Sequence, residues 1–327
     1  MNQFGRIFRM SIYGESHAES IGITIDGVPP GIEINLNDLQ SLIDQRKANK
    51  LGTTPRIEQD IPIITNGIID NHTTGAPINM IFQNKNTQSK DYEHLREHPR
   101  PGHADFVAAH KFNNFHDIRG GGIFSGRLTL LLVAAGYFAQ LITNPIKVHS
   151  EIIELHGSAN INEEVEKAIS LGDSIGGIIE TRISDLPIGL GEPFFDSVES
   201  IISHLVFSIP GIKAIEFGSG FNSAKIYGSE NNDLIIDKNG KTETNNAGGI
   251  NGGISNGNEI VFRVAVKPTS SIAKGQNTYN FKKEQLDDLV IGGRHDVCFS
   301  LRVPPILSAV AHIALADLLL IRKTQIL

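Results

Sequence analysis

Ser125 to Ile142 reads SGRLTLLLVAAGYFAQLI, and the placement of this stretch decides the fold. From Leu128 onward apolar residues fall on nearly every side of a 3.6-residue repeat, so a helix here is buried on most of its faces. The apolar run is short of the roughly 20 residues that a membrane span needs. A second apolar stretch, VPPILSAVAHIALADLLLI (303–321), carries His312 and Asp317. Both are therefore expected as buried helices of a globular protein, with His312 a satisfied core histidine.

Outward from that helix the pattern is mixed. KVHSEIIELHG (147–157) predicts a strand, and 172–221 reads strand, loop, helix, strand, as one βαβ-like unit. Upstream, GITIDGVPP (22–30) alternates and ends in Gly and Pro, a strand with its turn. NLNDLQSLIDQR (35–46) sets Leu36, Leu39, Leu42 and Ile43 at helical spacing, with Asn35 as N-cap. The strand–helix pattern thus occurs twice, which suggests a loose internal duplication that sequence identity alone does not establish. Residues 61–84 predict two strands around a turn, and EIVFRVAV (259–266) another strand. Polar segments at 47–60, 85–106 and the glycine-rich 228–257 are loops, the last two long enough to carry a site. No linker or composition shift divides the chain. One domain over 1–327 is expected, of α+β or layered α/β type.

The 327 residues are 40% hydrophobic, ample for a large core, and the net charge of -7 with no basic stripe argues against a nucleic-acid binder. A single cysteine, Cys298, permits no intrachain disulfide and fits a reducing, cytoplasmic setting. The N-terminal MNQFGRIFRMSIYG has no apolar core of a signal peptide.

Five stretches combine glycine with hydroxyl, basic or His/Asp residues: YGESHAESIG (13–22), RPGHAD (100–105), RGGGIFSGR (119–127), NNAGGINGGISNG (245–257) with KPTSS (267–271), and GGRHD (292–296). Arg127 falls in the first turn of the apolar helix, where a cation opposes the helix dipole at about 0.3–1 kcal/mol. An anion bound at that N-terminus reverses the sign. Gly252, Gly253 and Gly257 free backbone N–H groups, and Lys267, Thr269, Ser270 and Ser271 add donors for a phosphate or a polar ring edge. Neither a Walker A nor a G-x-G-x-x-G pattern is present. Of twelve histidines, His17, His103 and His295 stand out, each beside Gly, Arg or an acid. Zinc-ligand spacing is absent. HAD and RHD can mimic metal-hydrolase clusters, but adjacent arginines favour acid–base histidines around an anion.

Taken together, GESHAESIGITIDGVPPGIEI, RPGHADF, RGGGIFSGRLT, GDSIGGIIETRISDLPIGLGEPFFD, NNAGGINGGISNG, VAVKPTSSI and GGRHDVCFSLRVPPI resemble the chorismate synthase family, in order and from about residue 4 to 320. The resemblance implies a β-α-β sandwich with buried central helices and long glycine-rich site loops. It implies a lyase of aromatic amino-acid biosynthesis, converting 5-enolpyruvylshikimate 3-phosphate to chorismate and phosphate by anti 1,4-elimination. Reduced FMN is the implied cofactor, without net redox change. An external reductant or reductase is expected, with NADP associated with the activity but no dinucleotide fingerprint in the chain. A homotetramer is implied as well.

By the same resemblance His103 protonates reduced flavin, His17 assists phosphate departure, and Asp296 takes part in deprotonation through flavin N5. Arg46, Arg100, Arg127 and Arg294 face substrate, the last also flavin. Phe124, Ser125, Pro210, Gly211, Gly252 and Lys267, Pro268, Thr269, Ser270 and Ser271 match flavin-binding stretches. Glu15 and Ser16 are expected to shape the turn at His17. The substrate's two carboxylates and phosphate require arginines, and a proton carrier titrating near neutrality is naturally histidine.

The chain also departs from the family. An arginine expected near position 51 is Leu51 or Lys50. The family's GGGRSSARET is GGGIFSGRLT here, so Ile123 replaces an arginine and Leu128 a glutamate that closes a capping box with Ser125. Each lost charged hydrogen bond is worth roughly 1.5–3 kcal/mol, unless Lys47, Lys50 or Arg56 moves in. Two other readings stand beside the lyase: a weakened relative that binds flavin or anion without turnover, and a metal-dependent phosphohydrolase built on His17, His103, Asp105, His295 and Asp296.

Overall fold

The computed structural model describes residues 2–87 and 89–325; Met1, Gln88 of the predicted 85–106 loop, and Ile326 and Leu327 of the predicted C-terminal helix lie outside the described residues. The first half runs β1 (Gln3–Phe4), β2 (Arg9–Gly14), β3 (Ser20–Asp26), α1 (Leu36–Gln45), β4 (Ile63–Asn66), a small β5 (Ile68–Ile69)/β6 (His72–Thr73) hairpin, β7 (Ile78–Gln83), α2 (Asp105–Lys111) and α3 (Thr129–Thr143). The second runs β8 (Lys147–Leu155), α4 (Ile161–Ser170), β9 (Gly177–Ser184), α5 (Val198–Val206), β10 (Ile212–Phe217), α6 (Gly228–Asn231) and a short β11 (Ile250–Asn251)/β12 (Ile254–Ser255) pair. It ends with β13 (Ile260–Val266), a hairpin of β14 (Gln276–Asn280) and β15 (Gln285–Leu289), and α7 (Pro304–Gln325).

Two antiparallel sheets form, ordered β1-β2-β3-β7-β4 and β10-β13-β9-β8. The succession β2–β3–α1–β4–β7–α3 recurs as β8–β9–α5–β10–β13–α7. In both, an antiparallel strand pair (a hairpin in the first half, joined through α4 in the second) and a helix lead to an edge strand, and the next strand inserts between that edge and the pair. The suspected duplication is therefore a topological one. The expected βαβ-like unit at 172–221 needs one correction: β9 and β10 are not neighbours, because β13 lies between them, antiparallel to each. With every pair in both sheets antiparallel, the chain is α+β rather than layered α/β.

α3 and α7 pack against each other, α3 on β3 and α7 on β8 and β9, while α1 packs on α3 and α5 on α7. Apolar residues of both sheets and all four helices join one continuous core. The two long apolar helices are buried core helices of this sandwich. Their polar residues are satisfied internally, as buried groups must be. Asp317 accepts from the backbone N–H groups of Arg6, Ile7 (2.8 Å) and Phe8 (2.9 Å), tying the N-terminus to α7. His312 Nδ1 lies 2.7 Å from Thr143 Oγ1, and burial pushes its pKa down to about 4, so it is a neutral core histidine. Asn35 caps α1 by accepting from Asn37 N (3.0 Å), and Tyr137 of α3 clamps the same residue, its hydroxyl accepting from Asn35 N and donating to Asn35 O.

The α3–α7 crossing depends on Gly136. A Cβ there would stand 2.4 Å from Ala309 Cβ and 2.7 Å from its Cα. Replacing glycine by alanine in a helix gains about 0.8–1.0 kcal/mol of propensity, but overpacking a dense core costs about 1–3 kcal/mol. Because the obstructing atoms include backbone, the clash dominates. Gly136→Ala is expected to lower the melting temperature by a few degrees, and a rise would show that the helices part freely.

Candidate active site

One large cavity of about 570 Å³ lies between the loops, lined by residues of all five stretches, the fourth through KPTSS alone, and of the 46–60 loop. Its floor is the glycine run. Gly120, Gly121 and Gly122 all have positive φ (58°, 81° and 52°), a conformation that side chains rarely adopt. A Cβ on Gly120 would sit 2.1 Å from His17 Nδ1, and one on Gly121 3.5 Å from His103 Nε2. Two of the three singled-out histidines, His17 and His103, therefore flank one turn. Ser16 N donates to Gly122 O (3.2 Å), which joins the His17 loop to it. After the run, Ser125 Oγ accepts from Arg127 N (3.3 Å), and a short 3-10 turn leads into α3, which begins at Thr129. Leu128, where a capping glutamate was expected, is buried in the core.

His17 is 9% exposed, its Nδ1 has no hydrogen-bond partner, and its ring stands edge-on to Tyr92 at 5.4 Å. Burial, then the nearby Arg56 charge, push its pKa down to about 4. His103 Nδ1 lies 2.6 Å from Asp105 Oδ1, and Asp105 is gripped by Arg100 through Nε (2.7 Å) and Nη2 (2.8 Å). Burial lowers the His103 pKa, with the Asp105 hydrogen bond opposing. For Asp105 burial acts upward, but the hydrogen bonds from Arg100 and His103 win and hold it well below the usual carboxylate range. His295 donates from Nε2 to Gly292 O (2.9 Å), and burial lowers its pKa too.

Cations dominate the wall: six arginines and two lysines face only three carboxylates, Glu58, Asp60 and Asp296. Arg46 is fully buried, its pKa pushed down to about 9 by burial and then by Arg302, which leaves it charged at neutral pH. Asp60 bridges Arg46 (Nη2, 3.4 Å) and Arg127. Arg294 donates to Asn86 Oδ1 (2.9 Å) and Asn86 O (3.1 Å). Asp296 accepts from Thr54 N (2.8 Å) and pairs with Arg302 (3.1 Å). Buried donors without partners remain, Arg127 Nη2, Arg46 Nε and Thr269 Oγ1 among them. Leaving such groups unpaired costs about 1–3 kcal/mol each, a cost that an anionic ligand removes.

Every residue that the resemblance assigned to catalysis, substrate or flavin, except Gly252, lines this cavity. His17, His103, Asp296, Arg46, Arg100, Arg127 and Arg294 surround it, with Phe124, Ser125, Pro210, Gly211 and Lys267 to Ser271. Lys267 Nζ and Ser270 Oγ both donate to Gly102 O (2.6 and 2.8 Å), locking the KPTSS loop onto RPGH. Gly252 lies in the β11–β12 turn, outside the lining. Two lining residues of weight were not singled out, Arg302 and Asp60, and Arg56 was weighed only as a replacement for a lost arginine. Arg56 donates to Ser16 Oγ (3.0 Å) and Ser16 O (3.1 Å) and pairs with Glu58 (2.9 Å). A faint signal existed, since Arg56, Glu58 and Asp60 alternate and alternate residues of an extended segment share a side. Of the replacements weighed for the lost arginines, Lys47 and Arg56 line the cavity and Lys50 does not. Ile123 lines it beside Phe124, while Leu51 is 64% exposed.

The carboxylates of the hydrolase reading, Asp105 and Asp296, are each engaged by an arginine. Among the described residues no group of three His, Cys, Asp or Glu side chains is placed to hold a metal ion.

The chain has relatives over nearly its whole length. The family model described as Chorismate synthase matches residues 8–320. A chorismate synthase of Chitinophaga pinensis is 56% identical over 324 residues, covering 99% of this chain and 98% of the relative. One from Dehalococcoides mccartyi is 41% identical, covering 98% and 96%. One from Thermococcus gammatolerans is 39% identical, covering 98% of each. A crystal structure of a chorismate synthase superposes with a TM-score of 0.77 at 22% identity, over 98% of this chain and 93% of that one, and has the same fold.

Proposed function

The chain belongs to the chorismate synthase family, and from that premise we propose that its cavity holds 5-enolpyruvylshikimate 3-phosphate against reduced FMN, with His17, His103 and Asp296 as the catalytic residues. The reaction is that of a carbon–oxygen lyase in aromatic amino-acid biosynthesis. The C6–H bond and the C3–O bond of the substrate break, two conjugated double bonds result, and phosphate leaves with the C3–O electron pair. The observation that carries the assignment is the cationic wall with its unpaired donors, matched to a substrate bearing two carboxylates and a phosphate.

The residues present fit a flavin. Phe124, Ile123, Ile209, Pro210 and Phe299 offer an apolar surface, and the KPTSS loop and Arg294 offer donors at its margin. Bound there in reduced form, FMN supplies transient electron density and a basic nitrogen. The protein's part is electrostatic and protonic. Arg46, Arg127 and Arg56 hold anionic groups of the substrate. His17, neutral in the free protein, gains proton affinity when a phosphate dianion arrives, because an opposite charge favours its cationic form. It is then placed to assist the leaving phosphate. His103 presents Nε2 to the cavity as the proton carrier. Asp296, held by Arg302 and Thr54, is the carboxylate of the deprotonation step.

Reduced flavin comes from an external, NADPH-linked reductant, and the setting is cytoplasmic. The assembly is a homotetramer; the large side chains left bare on one chain, such as Phe194, Phe195, Phe221 and Tyr227, each at least 77% exposed, support contact with further copies.

Anaerobic mixing of the protein with chemically reduced FMN and substrate is expected to release chorismate and phosphate in equal amounts. Flavin binding without product supports the weakened relative, and metal-dependent, flavin-independent phosphate release supports the hydrolase. Arg294→Ala is expected to raise the KM for substrate or the Kd for flavin about tenfold or more, the equivalent of one charged hydrogen bond. A fall in kcat alone would remove Arg294 from binding.

A further inference from the structure

We propose that Asp105 is the positioning residue for His103, fixing the tautomer in which Nδ1 carries a proton and Nε2 is turned to the cavity. The inference rests on His103 being the proton carrier and adds what sets its state. His103 Nδ1 has two polar neighbours, Asp105 Oδ1 at 2.6 Å and Arg100 Nη2 at 3.1 Å. An ionised carboxylate has only lone pairs to offer, and so does an unprotonated ring nitrogen. At 2.6 Å a proton must lie between them, and the ring must provide it. Arg100 Nη2 donates one hydrogen to Asp105 Oδ1 (2.8 Å) and has a second that could reach the ring only if Nδ1 kept its lone pair; the shorter carboxylate contact takes the Nδ1 proton instead, and the 3.1 Å approach of Arg100 is then a contact without a hydrogen bond. The neutral imidazole thus has its acceptor at Nε2, which has no partner among the described residues and lies beside the cavity floor at Gly121.

Asp105 is itself immobilised. It is 5% exposed, opens α2, and accepts from Arg100 N (3.1 Å) as well as from both arms of the Arg100 guanidinium. Arg100 in turn donates to Ser271 Oγ (3.1 Å) in the KPTSS loop. A carboxylate held so firmly orients the ring and stabilises its cation, as buried partners of functional histidines do. The charged groups facing His103 are Asp105 and Arg100 from its own loop, Lys267 from the KPTSS loop and His295 from GGRHD. Asp105 is the one anion among them, so it raises the proton affinity of His103 while Arg100 and Lys267 lower it.

That opposition gives a signature which a merely structural role does not produce. The test is the pH profile of kcat for the full-length protein with reduced FMN and substrate, in wild type, Asp105→Asn, Arg100→Gln and His103→Ala. Removal of the anion is expected to move the His103-dependent limb about one unit to lower pH and to reduce kcat at neutral pH by 10–100-fold. Removal of the Arg100 cation is expected to move the same limb to higher pH while raising KM. His103→Ala is expected to lack the limb. An Asp105→Asn protein that folds, by thermal melting, and keeps the wild-type profile overturns the positioning role. So does a shift of the same sign in both variants. Should Asp105→Asn fail to fold, Asp105→Glu, which keeps the charge, and Arg100→Gln carry the test: a limb unmoved in Arg100→Gln overturns the proposal. Full activity in His103→Ala overturns the reading of His103 and takes this inference with it.

Discussion

His103→Ala is expected to turn over substrate 10²–10⁴ times more slowly than the wild type, the usual size of a general acid–base contribution. Flavin affinity is expected to survive, because the flavin-facing surface is spread over Phe124, Ser125, Pro210, Gly211 and the KPTSS loop. The fold is expected to survive as well. Asp105 keeps both of its guanidinium hydrogen bonds from Arg100 when the ring is gone, so no buried carboxylate is stranded. Anaerobic single-turnover absorbance separates the two effects, since it reads flavin binding and chorismate formation in one trace. Unchanged turnover would remove His103 from proton transfer.

A loss of similar kind is expected from Gly120→Ala, although this residue contributes no functional group. Two costs arise. A non-glycine residue at φ 58° carries about 1–2 kcal/mol of backbone strain. The new methyl would also fall 2.1 Å from His17 Nδ1, 2.2 Å from Cε1 and 2.7 Å from Ser16 Oγ. Side-chain atoms can retreat where backbone cannot, so the chain folds and the His17 ring moves. A displacement of about 1 Å at a reacting group is worth about 10² in rate. The variant should therefore lose roughly two orders of magnitude in kcat with a small change in melting temperature. Retention of wild-type kcat would mean that His17 does not act from the position it occupies here. Comparison with Gly136→Ala, a clash remote from the cavity, separates loss of geometry from loss of stability.

Much of the fold was legible before any coordinates. The apolar helix that follows Ser125, the Asn35 cap and the strand at 147–155 all depend on contacts within a few residues, so their periodicity is written locally. The parallel reading of 172–221 failed because β13 is supplied from more than forty residues further on, and nothing near β9 or β10 records which strand will lie between them. At the site, the glycine runs and their histidines were visible because positive φ and acid–base chemistry each restrict residue choice. Gly252 was gathered with them by its glycine run as well as by resemblance, and in this chain its turn does not reach the cavity.

The sequence by itself determined many of the residues that line the cavity, the two buried helices and the family, since helix burial is a property of composition and spacing. Tertiary structure alone decided how the charges are paired. Asp60 meets Arg46 across 14 residues and Arg127 across 67, and Asp296 meets Thr54 across 242. Those separations carry no periodic signal, and they decide which cations remain free for a ligand. Of the two positions that lack the family's arginine, Ile123 thus sits in a wall that Arg56, Lys47 and Arg302 keep strongly cationic, and Leu51 lies outside it, exposed. The physical reason is that charge in a cavity is summed over space, whereas a motif is read along the chain.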